Sequence, residues 1–330
     1  MKALELSQDK ELRIVEAGLP NVGPSDVLVK LKAAALNHRE IWITKGLYPG
    51  MKLPCILGAD GAGVVEQLGE DVDKNLLGKE VIIYPAYDWG PNQGAPQKSF
   101  RVLGMPDPGT LAEYISVPAK MVFHKPTYLS WSEAAAMPVA GLTSWRALTH
   151  CGGIKSSDKV LVTGIGGGVA QFGLTLAKSL GAEVYVTSSS QEKIKLSIES
   201  GATAGVSYKD EDWYSQLKEL SGGIDIVLDS SPSAELDYYL KFLNRGARIV
   251  AYGSQGSRKT TLNISKFFLR HIQFIGTAMG SPKDFSDLLS YMTDKEILPT
   301  IHSSYAFEDS LEALKFLEKG KQVGKVVVEF

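Results

Sequence analysis

Hydrophobic and polar positions change rhythm twice along the chain. Up to about Lys125 the apolar residues fall in short β-rich runs, Val27–Lys32, Gly63–Leu68, Glu80–Tyr84 and Leu111–Val117, separated by Gly and Pro. This pattern predicts an irregular, barrel-like β domain. From Pro126 to about Met279 helical and strand patterns alternate, with strands predicted at Val160–Thr163, Glu183–Thr187, Ala204–Ser207, Asp225–Leu228, Ala247–Ala251 and Gln273–Thr277. Strands joined by helical crossovers predict a doubly wound parallel sheet. The last stretch predicts a helix near Lys283–Thr293, a helix over Phe307–Lys319 with Leu311, Leu314, Phe316 and Leu317 near helical spacing, and a strand over Lys325–Phe330. Between Pro85 and Thr110 periodicity fades, and Pro85, Pro91, Pro96, Pro106 and Pro108 predict a long surface lobe.

One segment carries chemistry. Residues 160–170 read Val-Leu-Val-Thr-Gly-Ile-Gly-Gly-Gly-Val-Ala, an apolar strand running into a glycine-rich turn, followed by helix-forming Gln171–Leu180 and a second strand. That is the order a dinucleotide-binding βαβ unit requires: glycines let the backbone approach a pyrophosphate, and the helix N-terminus offers N–H groups and a positive dipole end. A plain strand-to-helix connection would also tolerate glycines, but both flanks fit the cofactor reading. The candidate cradle is Gly164, Ile165, Gly166, Gly167, Gly168 and Val169. An NAD site expects an acidic residue about 20 residues after the first glycine. Here that place holds Thr187, Ser188, Ser189 and Ser190, followed by Lys193. Hydroxyls and an ammonium favour a 2′-phosphate, so NADP(H) is expected; Ser189 or Ser190 is also a candidate cap for the next helix.

Composition narrows the class. A chain of 330 residues with 44% hydrophobic and 22% charged residues reads as a two-domain globular protein. Its formal net charge of −2 gives no reason to expect nucleic acid or a membrane surface as partner. Met1-Lys2-Ala3-Leu4-Glu5 lacks a signal-peptide core, and Cys55 and Cys151 stand alone, so a cytoplasmic location is expected, without a disulfide framework.

Four further segments, in order along the chain, carry a family resemblance. They are Gly46-Leu47-Tyr48-Pro49 with Leu53-Pro54 and Gly58-Ala59-Asp60-Gly61-Ala62-Gly63-Val64-Val65; Ala134 through Trp145; Gly201-Ala202-Thr203 with Tyr208; and Gly324-Lys325-Val326-Val327. Together with the glycine turn they resemble the medium-chain dehydrogenases/reductases, in their zinc-free, quinone oxidoreductase-like branch. The resemblance implies an irregular GroES-like β-barrel catalytic domain over 1–125 and 282–330, and a Rossmann NADP(H)-binding domain over 126–281. The family's Gly-x-Gly-x-x-Gly falls on Ile165, Gly167 and Ala170, with extra glycines around them. It further implies that Thr143, Tyr208, Tyr252, Gly253, Thr277 and Lys325 join the cofactor site.

Against the zinc enzymes of the same superfamily, the three catalytic ligand positions correspond to Asn37, Ala59 and Val139, and the lobe around Trp89–Pro108 has no cysteine. No metal is therefore expected, and His38 lacks partners for one. By resemblance the substrate site lies between the domains, with walls drawn from Trp42, Asp60, Trp89, Met137 and Val139, and with Tyr48 and Asn37 as donors to the substrate oxygen. Trp42, Met137 and Val139 are equally readable as core. The implied activity is NADPH-dependent reduction of quinones, enones or related carbonyls, small electrophiles, by a homodimer joined at the edge strand Gln273–Thr277. A cofactor-binding structural or regulatory protein with little turnover is the alternative.

Overall fold

The computed structural model describes residues 1–233, 236–255 and 259–330, and divides into two compact units. The first comprises Met1–Ala140 and Ser281–Phe330, the second Gly141–Gly280. The first boundary falls later than the composition shift at Lys125 suggests. The helix Trp131–Ala136 explains the difference: Ser130 and Glu133 form a capping box, and fully buried Ala134, Ala135 and Ala136 let the helix lie close on strands Asp26–Leu36 and Asp60–Leu68 of the first unit.

In that unit the strands run Val122–His124, Glu80–Ile83, Asp60–Leu68, Asp26–Leu36, Lys325–Glu329 and Ile301–Ala306, with Tyr114–Pro118 also pairing with Asp26–Leu36. The central strand buries Val27, Val29, Leu31 and the Ala33–Leu36 run, β-branched and small residues suited to a sheet packed on both faces. Gly63 is required where strands cross closely, since a Cβ there would lie 2.1 Å from the Lys30 carbonyl oxygen. An N-terminal hairpin, Lys2–Leu6 with Leu12–Glu16, and strand Ile301–Ala306 carry no strong pattern and were not foreseen. Terminal strand Lys325–Glu329 pairs antiparallel with Asp26–Leu36, Val326 opposite Leu36, which brings Lys325 to the end of that strand next to Asn37.

The 85–110 segment is more than a surface lobe. It contains short strands Ala86–Tyr87, Arg101–Leu103 and Pro106–Asp107, and buries Trp89, Val102, Leu103 and Met105. Arg101 clasps it, 2.5 Å from Asp88 and 2.6 Å from Asp107, with its guanidinium over the Tyr87 ring. The second unit has the expected six parallel strands, in the order Ala204–Ser207, Glu183–Ser188, Lys159–Val162, Ile224–Asp229, Leu243–Ala251 and Gln273–Gly276. The order reverses between Lys159–Val162 and Ile224–Asp229, the switch point at which doubly wound sheets bind ligands.

Candidate active site

Strand Lys159–Val162 leads through Thr163 and Gly164, at φ +62°, to Gly167, which N-caps helix Gly168–Ser179 without a side-chain cap. The first N–H groups of this helix are thus left to an external acceptor. A Cβ on Gly164 would lie 2.9 Å from Ser230 Oγ, and one on Gly253 2.7 Å from the Ser230 carbonyl oxygen, so the two glycines leave a cradle around Ser230 that side chains would fill. Ile165 is buried beneath the turn, and its N–H donates to the Thr187 carbonyl at 3.1 Å. Three supports escaped the sequence reading. Buried Gln171 donates from Nε2 to the Ile165 carbonyl at 2.6 Å, and Ser144 Oγ donates to the Val169 carbonyl at 2.5 Å. Gly173 carries the close helix–strand approach, because a Cβ there would meet Leu228 Cδ2 at 2.4 Å. Asp229, fully buried at the end of its strand, accepts from Thr163 Oγ1 at 2.9 Å, Tyr239 Oη at 2.8 Å and the Ser231 N–H at 2.9 Å. Burial raises its carboxyl above the usual carboxylate range, and these donors partly offset that.

At the end of strand Glu183–Ser188 the predicted selectivity residues come together. Ser188 Oγ accepts the Ser190 N–H at 3.1 Å, and Ser190 Oγ accepts the Lys193 N–H at 3.3 Å, which makes Ser190 the cap of helix Gln191–Glu199. Ser189 is exposed, and Tyr208 is tied beside Ser188 by its N–H to the Ser188 carbonyl at 3.1 Å. Burial lowers the Lys193 pKa, opposed by Glu192. Tyr252 is half-buried, its N–H on the Asp229 carbonyl, and Thr277 Oγ1 is buried with no hydrogen-bond partner. Thr143 is buried on helix Pro138–Arg146. A glycine cradle, free helix N–H groups and an orphaned hydroxyl fit a nicotinamide dinucleotide.

The first unit holds the second part. Lys325 Nζ lies 2.8 Å from Asp60 Oδ2 and 2.6 Å from Asn37 Oδ1. Asn37 Nδ2 donates to Asp60 Oδ2 at 2.8 Å, and the Val139 N–H donates to Asp60 Oδ1 at 2.8 Å. The ammonium can only donate and the carboxylate only accept, so the network itself fixes the amide orientation. Two assignments change here. Lys325, expected against the cofactor, holds Asp60 and Asn37; Asn37, expected as a donor to substrate, has both ends of its amide engaged. Of the three positions that hold zinc in related enzymes, Asn37 joins this cluster by its side chain and Val139 by its backbone N–H, and the donor set does not fit zinc: one carboxylate, no thiolate, no imidazole, and an ammonium that repels a cation. Among the described residues no group of three or more His, Cys, Asp or Glu could hold a metal ion.

The remaining candidates scatter. Trp89 is 2% exposed, bonded through Nε1 to the Asn92 carbonyl and set edge-on to Phe100, so it belongs to the lobe interior rather than a substrate wall. Met137 is fully buried core. Trp42 is half-buried, edge-on to His38, whose imidazole is pushed down by burial and by Lys45. Tyr48 is half-buried, with the Arg39 guanidinium 4.8 Å from its ring centre. Arg39 donates from Nη1 to the Leu103 carbonyl at 2.8 Å and to Glu40 Oε1 at 3.0 Å. Fully buried Glu40 also accepts the Asn37 N–H at 2.6 Å; burial raises its carboxyl, and Arg39 opposes the rise.

A six-stranded Rossmann sheet with a glycine cradle, in a chain that also folds a GroES-like β unit, defines a nicotinamide-dependent oxidoreductase. Comparison with known proteins gives the family. The profile of the alcohol dehydrogenase GroES-like domain matches residues 23–127, and that of the zinc-binding dehydrogenases matches 168–294. The zinc-type alcohol dehydrogenase-like protein YogA of Leptosphaeria maculans is 34% identical, covering 97% of this chain and 94% of its own. An acryloyl-coenzyme A reductase of Sulfurisphaera tokodaii is 28% identical over the full length of both. A solved NAD-dependent alcohol dehydrogenase superposes with a TM-score of 0.93 at 32% identity, covering all of both chains. The chain belongs to the medium-chain dehydrogenase/reductase family.

Proposed function

We propose that the protein is a zinc-independent, NADPH-dependent reductase of quinones, enones or related electrophilic carbonyl compounds. The observation that carries this reading is the Lys325–Asp60–Asn37 cluster, which ties Asn37, one of the three positions where a zinc enzyme of this family would place its ligands, into an ammonium–carboxylate network. Polarising an alcohol for oxidation calls for a Lewis acid that this donor set is unsuited to hold. A conjugated acceptor needs none, because the carbon that receives hydride is already electrophilic. The nicotinamide supplies that hydride when bound. The protein's part is to orient the acceptor and meet the oxygen that gains charge, and the Tyr48 hydroxyl is the donor available for it. The name of the Sulfurisphaera relative, a reductase of an enoyl thioester, supports a conjugated acceptor. Ser188, Ser189, Lys193 and Tyr208, with no carboxylate among Thr187–Ser190, support NADPH. We also read the chain as a cytoplasmic homodimer joined at strand Gln273–Gly276; among the described residues no helix is long and apolar enough to cross a membrane.

The test is NADPH oxidation against a panel of quinones, enones, aldehydes and ketones, with zinc measured by elemental analysis. The reading expects turnover of conjugated acceptors, no stoichiometric zinc and no effect of chelators. One zinc per chain, or turnover confined to alcohols, overturns it. Tight NADPH binding without turnover of any acceptor would favour the cofactor-binding structural or regulatory role instead.

A further inference from the structure

We infer that Arg39 is a carboxylate-recognition site, and that the acceptor this enzyme reduces carries a carboxylate as well as its reactive double bond. The inference deepens the reductase reading and rests on it for the reaction, not for the binding.

The Arg39 side chain is 11% exposed. Its two Nη1 hydrogen bonds, to Leu103 and Glu40, hold the guanidinium in place. Nε and Nη2, in contrast, are buried and have no hydrogen-bond partner. These two nitrogens form one edge of the guanidinium, the pair of parallel N–H groups that matches the two oxygens of a carboxylate. A buried donor without a partner costs about 1–3 kcal/mol, so an unused fork at this depth is poorly explained by structure alone. The Tyr48 ring lies beside the guanidinium, its centre 4.8 Å from the guanidinium carbon, and a phenol offers no second oxygen to complete a bidentate pair. Burial works against the charge on Arg39, and Glu40 with Tyr48 more than offsets it, so the guanidinium remains cationic. The lone carboxylate of Glu40 is already shared with the Asn37 N–H and Nη1. Arg39 also stands in the first turn of the helix that Asn37 caps, and beside Tyr48, the proposed donor to the reacting oxygen. An anchored carboxylate would therefore fix the acceptor at the place where its oxygen meets that hydroxyl.

Levulinate and methyl levulinate, the saturated acid and its ester, test the binding by calorimetry on the whole chain. Levulinate should bind at least tenfold more tightly than the ester. Arg39→Gln should abolish that preference while leaving ester binding as it was, and Arg39→Lys, which restores charge but not the fork, should recover only part of it. Equal binding of acid and ester, or a preference that survives Arg39→Gln, overturns the site. Thermal melting controls for folding; if Arg39→Gln does not fold, the acid–ester comparison on the native protein and Arg39→Lys decides. In parallel, NADPH oxidation with acetylacrylate and its methyl ester reports the reaction, in which hydride from NADPH and a proton from water saturate the C=C bond to give levulinate or its ester. The acid should show a kcat/KM at least tenfold above the ester. If neither is reduced while levulinate still binds through Arg39, the reductase reading fails and the site stands.

Discussion

Lys325 Nζ and Asp60 Oδ2 lie 2.8 Å apart on neighbouring parts of one sheet, with their side chains 3% and 0% exposed. A buried ion pair of this kind adds little net stability over a well-packed apolar pair, because both charges lose their water. Breaking it is another matter, since the survivor is left charged and unpaired. Asp60→Asn and Lys325→Met should each destabilise the protein by about 3–5 kcal/mol in denaturant unfolding. The double variant Asp60→Leu/Lys325→Met should be markedly less impaired than the sum of the single changes. Strict additivity would mean that the two side chains do not depend on each other.

The coenzyme prediction rests on strand Glu183–Ser188 ending in hydroxyls and on Lys193 beginning the next helix. A charge-assisted hydrogen bond to a 2′-phosphate contributes about 1.5–3 kcal/mol. NADPH should bind at least tenfold more tightly than NADH, and Lys193→Ala should erode most of that difference while leaving NADH binding nearly unchanged. Fluorescence titration with both coenzymes reads this directly, and equal dissociation constants would defeat the assignment.

Cys55 provides a pH-dependent prediction. Burial, chiefly, pushes its thiol up from the ordinary 9.0 to about 12, with Arg39 pulling the other way. The folded thiol holds its proton in a range where the unfolded one has lost it. Stability from this group is therefore full below 9.0 and declines as pH rises toward about 12. A thiol reagent applied to the native protein should label Cys151, which is partly exposed, and leave Cys55 unmodified until the chain unfolds. Prompt labelling of both cysteines would show that Cys55 is not sealed.

Much of this architecture was legible because its signals are local. Strand Ala204–Ser207 was read without error, and the strand–glycine–helix run over 159–179 announces itself through residues a few positions apart. The candidate site was legible only in its types. Asn37, Asp60, Val139 and Lys325 could be named from the motifs, but their mutual contacts join positions as far apart as 37 and 325, and only pairing of Lys325–Glu329 with Asp26–Leu36 brings them together. Trp89 was assigned to a substrate wall by resemblance, and its packing against Phe100 and its bond to the Asn92 carbonyl, which enclose it in the lobe, become visible only in the fold. The unpaired fork of Arg39 has no sequence signature, since it is defined by which acceptors are missing around it.

The last prediction concerns assembly. Strand Gln273–Gly276 pairs with Leu243–Ala251 on one side and is the terminal strand of its sheet on the other. Such an edge offers a row of backbone donors and acceptors, and natural sheets ordinarily protect it with charge or a covering element. Here Phe274 is exposed beside it, and helix Ile264–Leu269, which precedes it, exposes Ile264, Phe268 and Leu269, the last two at 61%. Apolar residues next to an open edge suit a two-fold partner, in which the same strand pairs with its own copy and the helix residues are covered together. Light scattering at micromolar concentration should give twice the 35.7 kDa chain mass. Phe268→Lys combined with Phe274→Lys should shift the protein to monomer without lowering coenzyme affinity, because neither residue lies at the glycine cradle. A monomeric wild-type protein would remove the proposed interface.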